Sequence, residues 1–197
     1  MRRLMAAAGT TALLGLAAIP AHANAISAAP SQRHQVPATT AGAGGSRIAQ
    51  ALPGDIAYLN TTFDLQPYAS GRWVNTPLQV ILPQAGRYHV DVNVQGRLWG
   101  TPPINLVILA RLADATTGTV LSNTTRLVDH LVDMNPWDRP IGQRATAPID
   151  DEIRVTRPTR IVLQATRLNQ AGLSSIAEIL PGPGGGRTSF RFERVGP

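Results

Sequence analysis

Short segments in which apolar and polar residues alternate dominate the chain from residue 54 to its end. The clearest of them runs from Tyr88 to Val94. Its apolar face comprises Tyr88, Val90, Val92 and Val94, and its polar face comprises His89, Asp91 and Asn93. A period of two is typical of a strand with one face in the core and the other in solvent. We therefore predict a half-buried antiparallel strand here.

The same pattern predicts an all-β fold for residues 54–197. No segment after residue 25 shows the 3.6-residue stripe of an amphipathic helix, and glycine and proline fall between the apolar segments. About ten short strands suit two packed antiparallel sheets, a sandwich with jelly-roll topology. The predicted strands span residues 55–63, 72–82, 87–98, 104–114, 119–128, 142–147, 152–156, 160–168, 173–180 and 187–195.

The segment 104–112 is apolar on both faces, unlike the others. Leu106 and Ile108 fall on one face, and Val107 and Leu109 fall on the other. Such a strand is covered twice, once by its own core and once by a second surface. Two interpretations stay open: the strand is central in its sheet, or Val107 and Leu109 belong to an interface between subunits.

The first 25 residues have the order of a secretory signal peptide. Arg2 and Arg3 precede an uncharged apolar run that is too short to span a membrane, and small residues suited to cleavage follow it. We expect cleavage after Ala23 or Ala25 and secretion of the protein; an uncleaved membrane anchor is the alternative. Residues 26–53 are rich in Ala, Pro, Gly and Ser, which predicts a flexible linker.

Composition narrows the possible functions. All 18 basic residues are arginine, and loss of Arg2 and Arg3 with the leader lowers the net charge from +6 to +4. The arginines are spread along the chain, whereas a nucleic-acid binder needs a basic patch, so we expect no nucleic-acid partner. The absence of cysteine excludes disulfides and thiolate metal sites. We expect no metal, no cofactor and no membrane contact after the leader is removed.

Spaced residues between positions 73 and 92 carry a resemblance to a known family. Trp73, Val80 and the run Gly86-Arg87-Tyr88-His89-Val90-Asp91-Val92 resemble part of the signature of the complement component 1q globular head, a relative of tumour necrosis factor. The segments 186–192 and 155–165 are similar to the last strands of bacterial members. The signature has an aromatic residue where this chain has Val80.

The resemblance implies a jelly roll that assembles as a compact trimer, with a recognition role and no catalysis. It also implies that the outer face of strand 104–112, with Val107 and Leu109, forms the trimer interface.

The residues that could carry catalysis do not form a recognisable set. His89 lies on the polar face of its strand, and His130 follows Asp129, which on a strand would face the opposite side. No Gly-x-Ser-x-Gly motif occurs. The acidic run 150–152 indicates a solvated turn. We expect no enzyme, with a hydrolase that uses an unrecognised carboxylate site as the remote alternative.

The loop around Trp137 is the strongest candidate for ligand binding. Trp137 is flanked by Asn135, Asp138 and Arg139, a combination suited to stacking on a carbohydrate or to a protein hot spot. Trp99 offers the same possibility. Either Trp137 contacts a ligand or it folds back onto the core, and the sequence favours the second.

Together these features predict a secreted, non-enzymatic recognition or assembly module. We expect a homotrimer with an extracellular protein or glycan as its unidentified ligand. A monomeric carbohydrate-binding sandwich that uses Trp137 or Trp99 is the alternative.

Overall fold

The computed structural model describes residues 54–182 and 186–197, which form ten antiparallel strands. They are β1 (Gly54–Tyr58), β2 (Phe63–Asp64), β3 (Val74–Leu82), β4 (Gly86–Gly100), β5 (Ile104–Asp114), β6 (Arg126–Asp133), β7 (Ile141–Val155), β8 (Thr159–Ala171), β9 (Ser174–Leu180) and β10 (Ser189–Gly196). In this part of the chain no helix is long and apolar enough to cross a membrane. The predicted leader and linker, residues 1–53, lie outside the described residues.

The strands form two sheets that enclose one core, which confirms the predicted all-β sandwich with jelly-roll character. The six-stranded sheet has the order β1-β10-β4-β9-β2, with β7 along the other side of β4. The four-stranded sheet has the order β3-β8-β5-β6. β4 organises the larger sheet, because its first half pairs with β10, its second half pairs with β9, and its whole length pairs with β7.

The alternation predicted for β4 is confirmed. Tyr88, Val90 and Val92 are fully buried between the sheets. The hydroxyl of Tyr88 donates a hydrogen bond to the carbonyl oxygen of Gln84 (3.0 Å), so burial leaves it with a partner. The ring of Tyr88 also meets that of Phe192 edge-on, with 6.0 Å between their centres.

Gly86 begins β4 where a side chain has no room. Its φ angle is +151°, and a Cβ there would stand 2.7 Å from the carbonyl oxygen of Gly196. The close approach of β10 to the start of β4 therefore requires glycine at this position.

β5 is a central strand, which explains why it is apolar on both faces. It lies between β8 and β6. On the outer face Val107 is only 7% exposed and Ala113 is fully buried, and each is flanked on both sides by a paired neighbour.

The acidic run was wrongly predicted to be a turn between two strands. Residues 141–155 form the single strand β7, and Asp150 and Glu152 lie on its outer face. Asp151 pairs with Val90 and lies on the inward side. β7 pairs with no described strand except β4, so it tolerates Pro148, and its proline and charges protect the free edge from pairing with other chains.

The strand predicted at 119–128 is also wrong in position, because β6 starts only at Arg126. Residues between β5 and β6 form a turn that closes on Thr124, which is fully buried. Its hydroxyl donates to the carbonyl oxygen of Leu121 (2.8 Å) and accepts from the amide of Leu112 (3.1 Å). Likewise the predicted strand 55–63 divides into β1 and β2.

Candidate ligand-binding surfaces

Several large apolar side chains are exposed on β6 and at the end of the sandwich where β6 finishes. This end carries the connections β4–β5, β6–β7 and β8–β9. The exposed residues in this region are Trp99, Leu127, Val132, Met134, Trp137 and Leu173. Grouped exposed apolar residues mark interaction surfaces more often than single ones do.

The β6–β7 connection displays Trp137, which is 89% exposed. The prediction that this side chain folds back onto the core is therefore wrong. The side chain of Asn135 donates to the carboxylate of Asp138 (2.7 Å) and accepts from the amide of Trp137 (3.2 Å). These two predicted ligand-binding residues therefore shape the turn that presents the indole. Arg139 is exposed beside them.

A neighbouring carboxylate in this turn affects the titration of Asp138. Asp133 Oδ1 accepts from the amide of Asn135 (2.9 Å) and lies near Asp138. Desolvation, and then the negative charge of Asp133, raise the pKa of Asp138.

Trp99 lies on the outer face of the six-stranded sheet, near the end of β4. It is 41% exposed, and its cross-strand partners are Gly142 of β7 and Ile176 of β9. Its ring covers Gly142 so closely that a Cβ on residue 142 would overlap it. An open recess of about 320 Å³ adjoins the ring. Its lining, which we call the Trp99 recess, consists of Arg97, Trp99, Gly142, Gln143, Arg144 and Ile176.

Two arginines make the Trp99 recess electropositive. Arg97 and Arg144 are direct cross-strand partners. Arg97 Nη2 lies 2.5 Å from Glu178 Oε2, whereas Arg144 has no carboxylate within 4.0 Å in the part of the chain that the structure describes. The recess therefore holds one positive charge without a counter-charge.

The structure does not bring the two predicted ligand-binding tryptophans into one pocket. None of residues 135–139 lines the Trp99 recess. The sequence analysis did not identify Arg97, Arg144 or Ile176 as part of this site. Arg144 and Ile176 reach Trp99 only through strand pairing, whereas Arg97 lies two residues before it on β4. The sequence did contain one indication, since Arg97 and Trp99 are two residues apart and therefore share one face of the strand.

The residues predicted for a subunit interface differ in accessibility. Val107 is covered within its own chain, whereas Leu109 is half-buried and pairs directly with Leu127 of β6, which is 54% exposed. Val132 and Met134 are also exposed, with His130 between Leu127 and Val132 on the same face. We call Leu109, Leu127, Val132 and Met134 the β6 apolar surface. An interface at Val107 and Leu109 stays a prediction.

Two of the candidate catalytic residues are neighbours, because His89 Nδ1 lies 3.7 Å from Asp150 Oδ1 on the open outer face of the six-stranded sheet. Asp129 and His130 lie apart from this pair and from each other. His130 Nε2 is 3.0 Å from Asn105 Oδ1 on the outer face of the four-stranded sheet. Asp129 faces the opposite side, is buried, and accepts a hydrogen bond from Gln143 (2.6 Å). Burial raises the pKa of Asp129 despite that bond. Across residues 54–182 and 186–197, no three His, Asp or Glu side chains are grouped so as to hold a metal ion.

No family model and no curated protein matches the chain. Among solved structures, it is similar to infectious bursal disease virus Gt strain (15% identity over 79% of this chain and 36% of the viral chain, TM-score 0.32). It is similar also to the Gx strain (13%, 78% and 41%, TM-score 0.36). Eiger TNF from S. frugiperda is a third similar structure (11%, 72% and 85%, TM-score 0.35). The chain spans less than half the length of the two viral chains.

Proposed function

We propose that the protein is an exported, non-enzymatic recognition or assembly module that acts as a homotrimer. The observation that carries the proposal is the pairing of half-buried Leu109 with exposed Leu127 on the outer face of the four-stranded sheet. With Val132 and Met134 these residues offer an apolar area that water solvates poorly. Burying such an area between copies of the chain would stabilise an oligomer.

The two outer faces of the sandwich differ, which supports this location for the interface. The outer face of the six-stranded sheet is rich in charged and ionisable side chains away from the Trp99 recess. Its members include Arg87, His89, Asp91, Asp150, Glu152, Arg154, Arg191 and Glu193. Burying that many charged groups would cost much more than burying the β6 apolar surface. The number of subunits, three, follows from the resemblance to the complement component 1q head.

The non-enzymatic part of the proposal rests on the arrangement of the candidate catalytic groups, since the His89–Asp150 pair (3.7 Å) lies on an open, solvent-exposed sheet face. Asp129 and His130 face opposite sides of β6, so the carboxylate does not orient the imidazole as catalysis requires. Export through the leader at residues 1–25 would place the module outside the cell, where an extracellular protein or glycan is its partner.

A charge placed on the β6 apolar surface tests the interface. Leu127→Glu should shift the full chain from oligomer to monomer in light scattering, because assembly would bury an unpaired carboxylate. Ile81→Glu is the matched control, since Ile81 is 57% exposed on β3, at the other edge of the same sheet. An oligomer unaffected by Leu127→Glu, or dissociated equally by Ile81→Glu, would contradict the proposed interface.

Carbohydrate binding is a second candidate function, and the Trp99 recess favours it. The recess combines an exposed indole with polar groups, and it lies on the sheet that does not contain the β6 apolar surface. A chain that stays monomeric yet binds a glycan would support this candidate over the assembly module.

A further inference from the structure

The Trp99 recess has the two components of a site for a ring that carries an anion. Trp99 supplies a flat apolar platform, because its ring lies against the sheet over Gly142. Ile176 adds apolar surface on the opposite side. A sugar or aromatic ring can lie on such an indole, with one face apolar and its edge in water.

The charge of the recess selects for an anion. Arg97 and Arg144 face each other across β4 and β7, and like charges in direct opposition are unfavourable. Glu178 neutralises the guanidinium of Arg97 by forming an ion pair with it. Arg144 is left to present its guanidinium to solvent, where it can hold a carboxylate with two parallel hydrogen bonds.

A second recess continues the first along the sheet. It has a volume of about 190 Å³ and shares Arg97 and Arg144 with the Trp99 recess. Thr62, Gln95 and Leu180 also line it. Alternate residues on one face of a strand are about 7 Å apart, so the buried Gln95 at one end and the exposed Trp99 at the other lie about 13 Å apart. The surface therefore suits a ligand built of consecutive units.

The Trp99 recess and the second recess together form a groove. We propose that this groove binds a carboxylated glycan, with one sugar ring on Trp99 and its carboxylate on Arg144. The proposal rests on the recognition role proposed above and names its ligand class. Shallow, open recesses suit a polymer that lies across the sheet better than an enclosed small molecule. A nucleic acid fits less well, because the groove has one aromatic platform and one unpaired positive charge instead of a basic, repeatedly stacking track.

Calorimetric titration of the full chain with a tetramer of galacturonic acid tests the proposal. We expect binding that weakens as salt increases, and much weaker binding of the same tetramer with its carboxylates methyl-esterified. Trp99→Ala and Arg144→Gln should each weaken binding by about tenfold or more. Equal affinity for the esterified tetramer would overturn the assignment of a carboxylate to Arg144.

Two matched variants control for unspecific effects of mutation. Arg154→Gln removes an arginine from the same strand and the same face of β7, outside the groove. Tyr58→Ala removes an exposed aromatic side chain from β1, outside the groove. Both should bind the tetramer like the native chain. If Arg154→Gln weakened binding as much as Arg144→Gln, the effect would come from the net charge of the protein and not from a local contact. That result would overturn the proposed site.

The remaining outcomes separate this inference from the proposed function. No binding of the tetramer by a chain that is oligomeric in light scattering would overturn the glycan site and leave the assembly role standing. Binding by a strictly monomeric chain would support the site and contradict the assembly role. Tighter binding of a single-stranded oligonucleotide than of the tetramer would overturn the glycan assignment in favour of a nucleic acid.

Discussion

The ring of Trp99 lies directly against the backbone of Gly142, its cross-strand partner in β7. The glycine is what allows the indole to lie flat, because any larger residue would push the ring off the sheet. The exposed platform therefore depends on a residue that has no side chain of its own. It is the pair, and not the tryptophan alone, that forms the recess.

Gly142→Ala should displace the indole of Trp99. The added methyl group overlaps the ring and also stands 2.8 Å from the carbonyl oxygen of Leu98, so we expect a loss of about 1–3 kcal/mol in the free energy of unfolding. Tryptophan fluorescence and thermal denaturation measure the two effects. Thr146→Ala, on the same face of β7, is the control. An unchanged spectrum and melting temperature for Gly142→Ala would show that the ring does not lie on residue 142.

Trp137 and Trp73 should differ in their contribution to stability. Trp137→Ala should change the free energy of unfolding by no more than about 0.5 kcal/mol, because the side chain is almost wholly in solvent. Trp73 is half-buried, and the guanidinium of Arg111 lies over its ring at 3.9 Å from the centre. Trp73→Ala should therefore destabilise the fold more in chemical denaturation. A larger loss for Trp137→Ala would mean that its indole packs against the core.

Arg167 should hold the segment between β2 and β3 in place. Its guanidinium donates hydrogen bonds to the carbonyl oxygens of Leu65 (3.2 Å), Gln66 (3.3 Å) and Tyr68 (2.9 Å). Bonds from a charged donor contribute about 1.5–3 kcal/mol each, and lysine cannot reproduce the planar fork. We expect Arg167→Lys to accelerate amide hydrogen exchange in residues 65–72.

The control for this variant is Arg160→Lys, an exposed position on the same strand β8. It should leave exchange in residues 65–72 unchanged. Equal exchange in the native chain and in Arg167→Lys would contradict the role of the guanidinium.

Asp129 should make the protein less stable as pH rises. Burial raises the pKa of its carboxyl above the value in the unfolded chain, so the native state holds the proton more tightly. Its contribution to stability is therefore fully present below the unfolded pKa of about 4, and it is lost as pH rises through the native pKa.

Asp129→Asn removes this titration. From about pH 4 upward, the free energy of unfolding of the variant should increase relative to that of the native chain. The increase should stop once the native carboxyl is fully ionised. The measurement is a series of urea denaturation curves at increasing pH. A difference that is constant over the range, or that moves the other way, would contradict a raised pKa.

The sequence was informative where one face of a strand is buried. The alternation of Tyr88, Val90 and Val92 with polar residues predicted which face of β4 is buried. A period of two follows from strand geometry and does not depend on the details of side-chain packing. The sequence was misleading at β7, where Pro148 and three consecutive acids are typical of a turn. On an edge strand the same residues protect the free edge, and edge position depends on the order of strands in the sheet.

The candidate sites were less predictable than the fold. Trp99 was identified from its residue type, but Arg144 and Ile176 meet it only through the register of β4 with β7 and β9. The exposure of Trp137 depends on hydrogen bonds within an irregular turn, which has no sequence period. Leu127 was placed in a strand with shifted bounds, so its pairing with Leu109 was not foreseen.

The mass of the full chain in solution tests the central claim most directly. Sedimentation equilibrium over a range of protein concentrations should give about three times the mass of one chain, with dissociation only on dilution. A mass of one chain at every concentration would contradict the proposal that this protein works as a homotrimeric module.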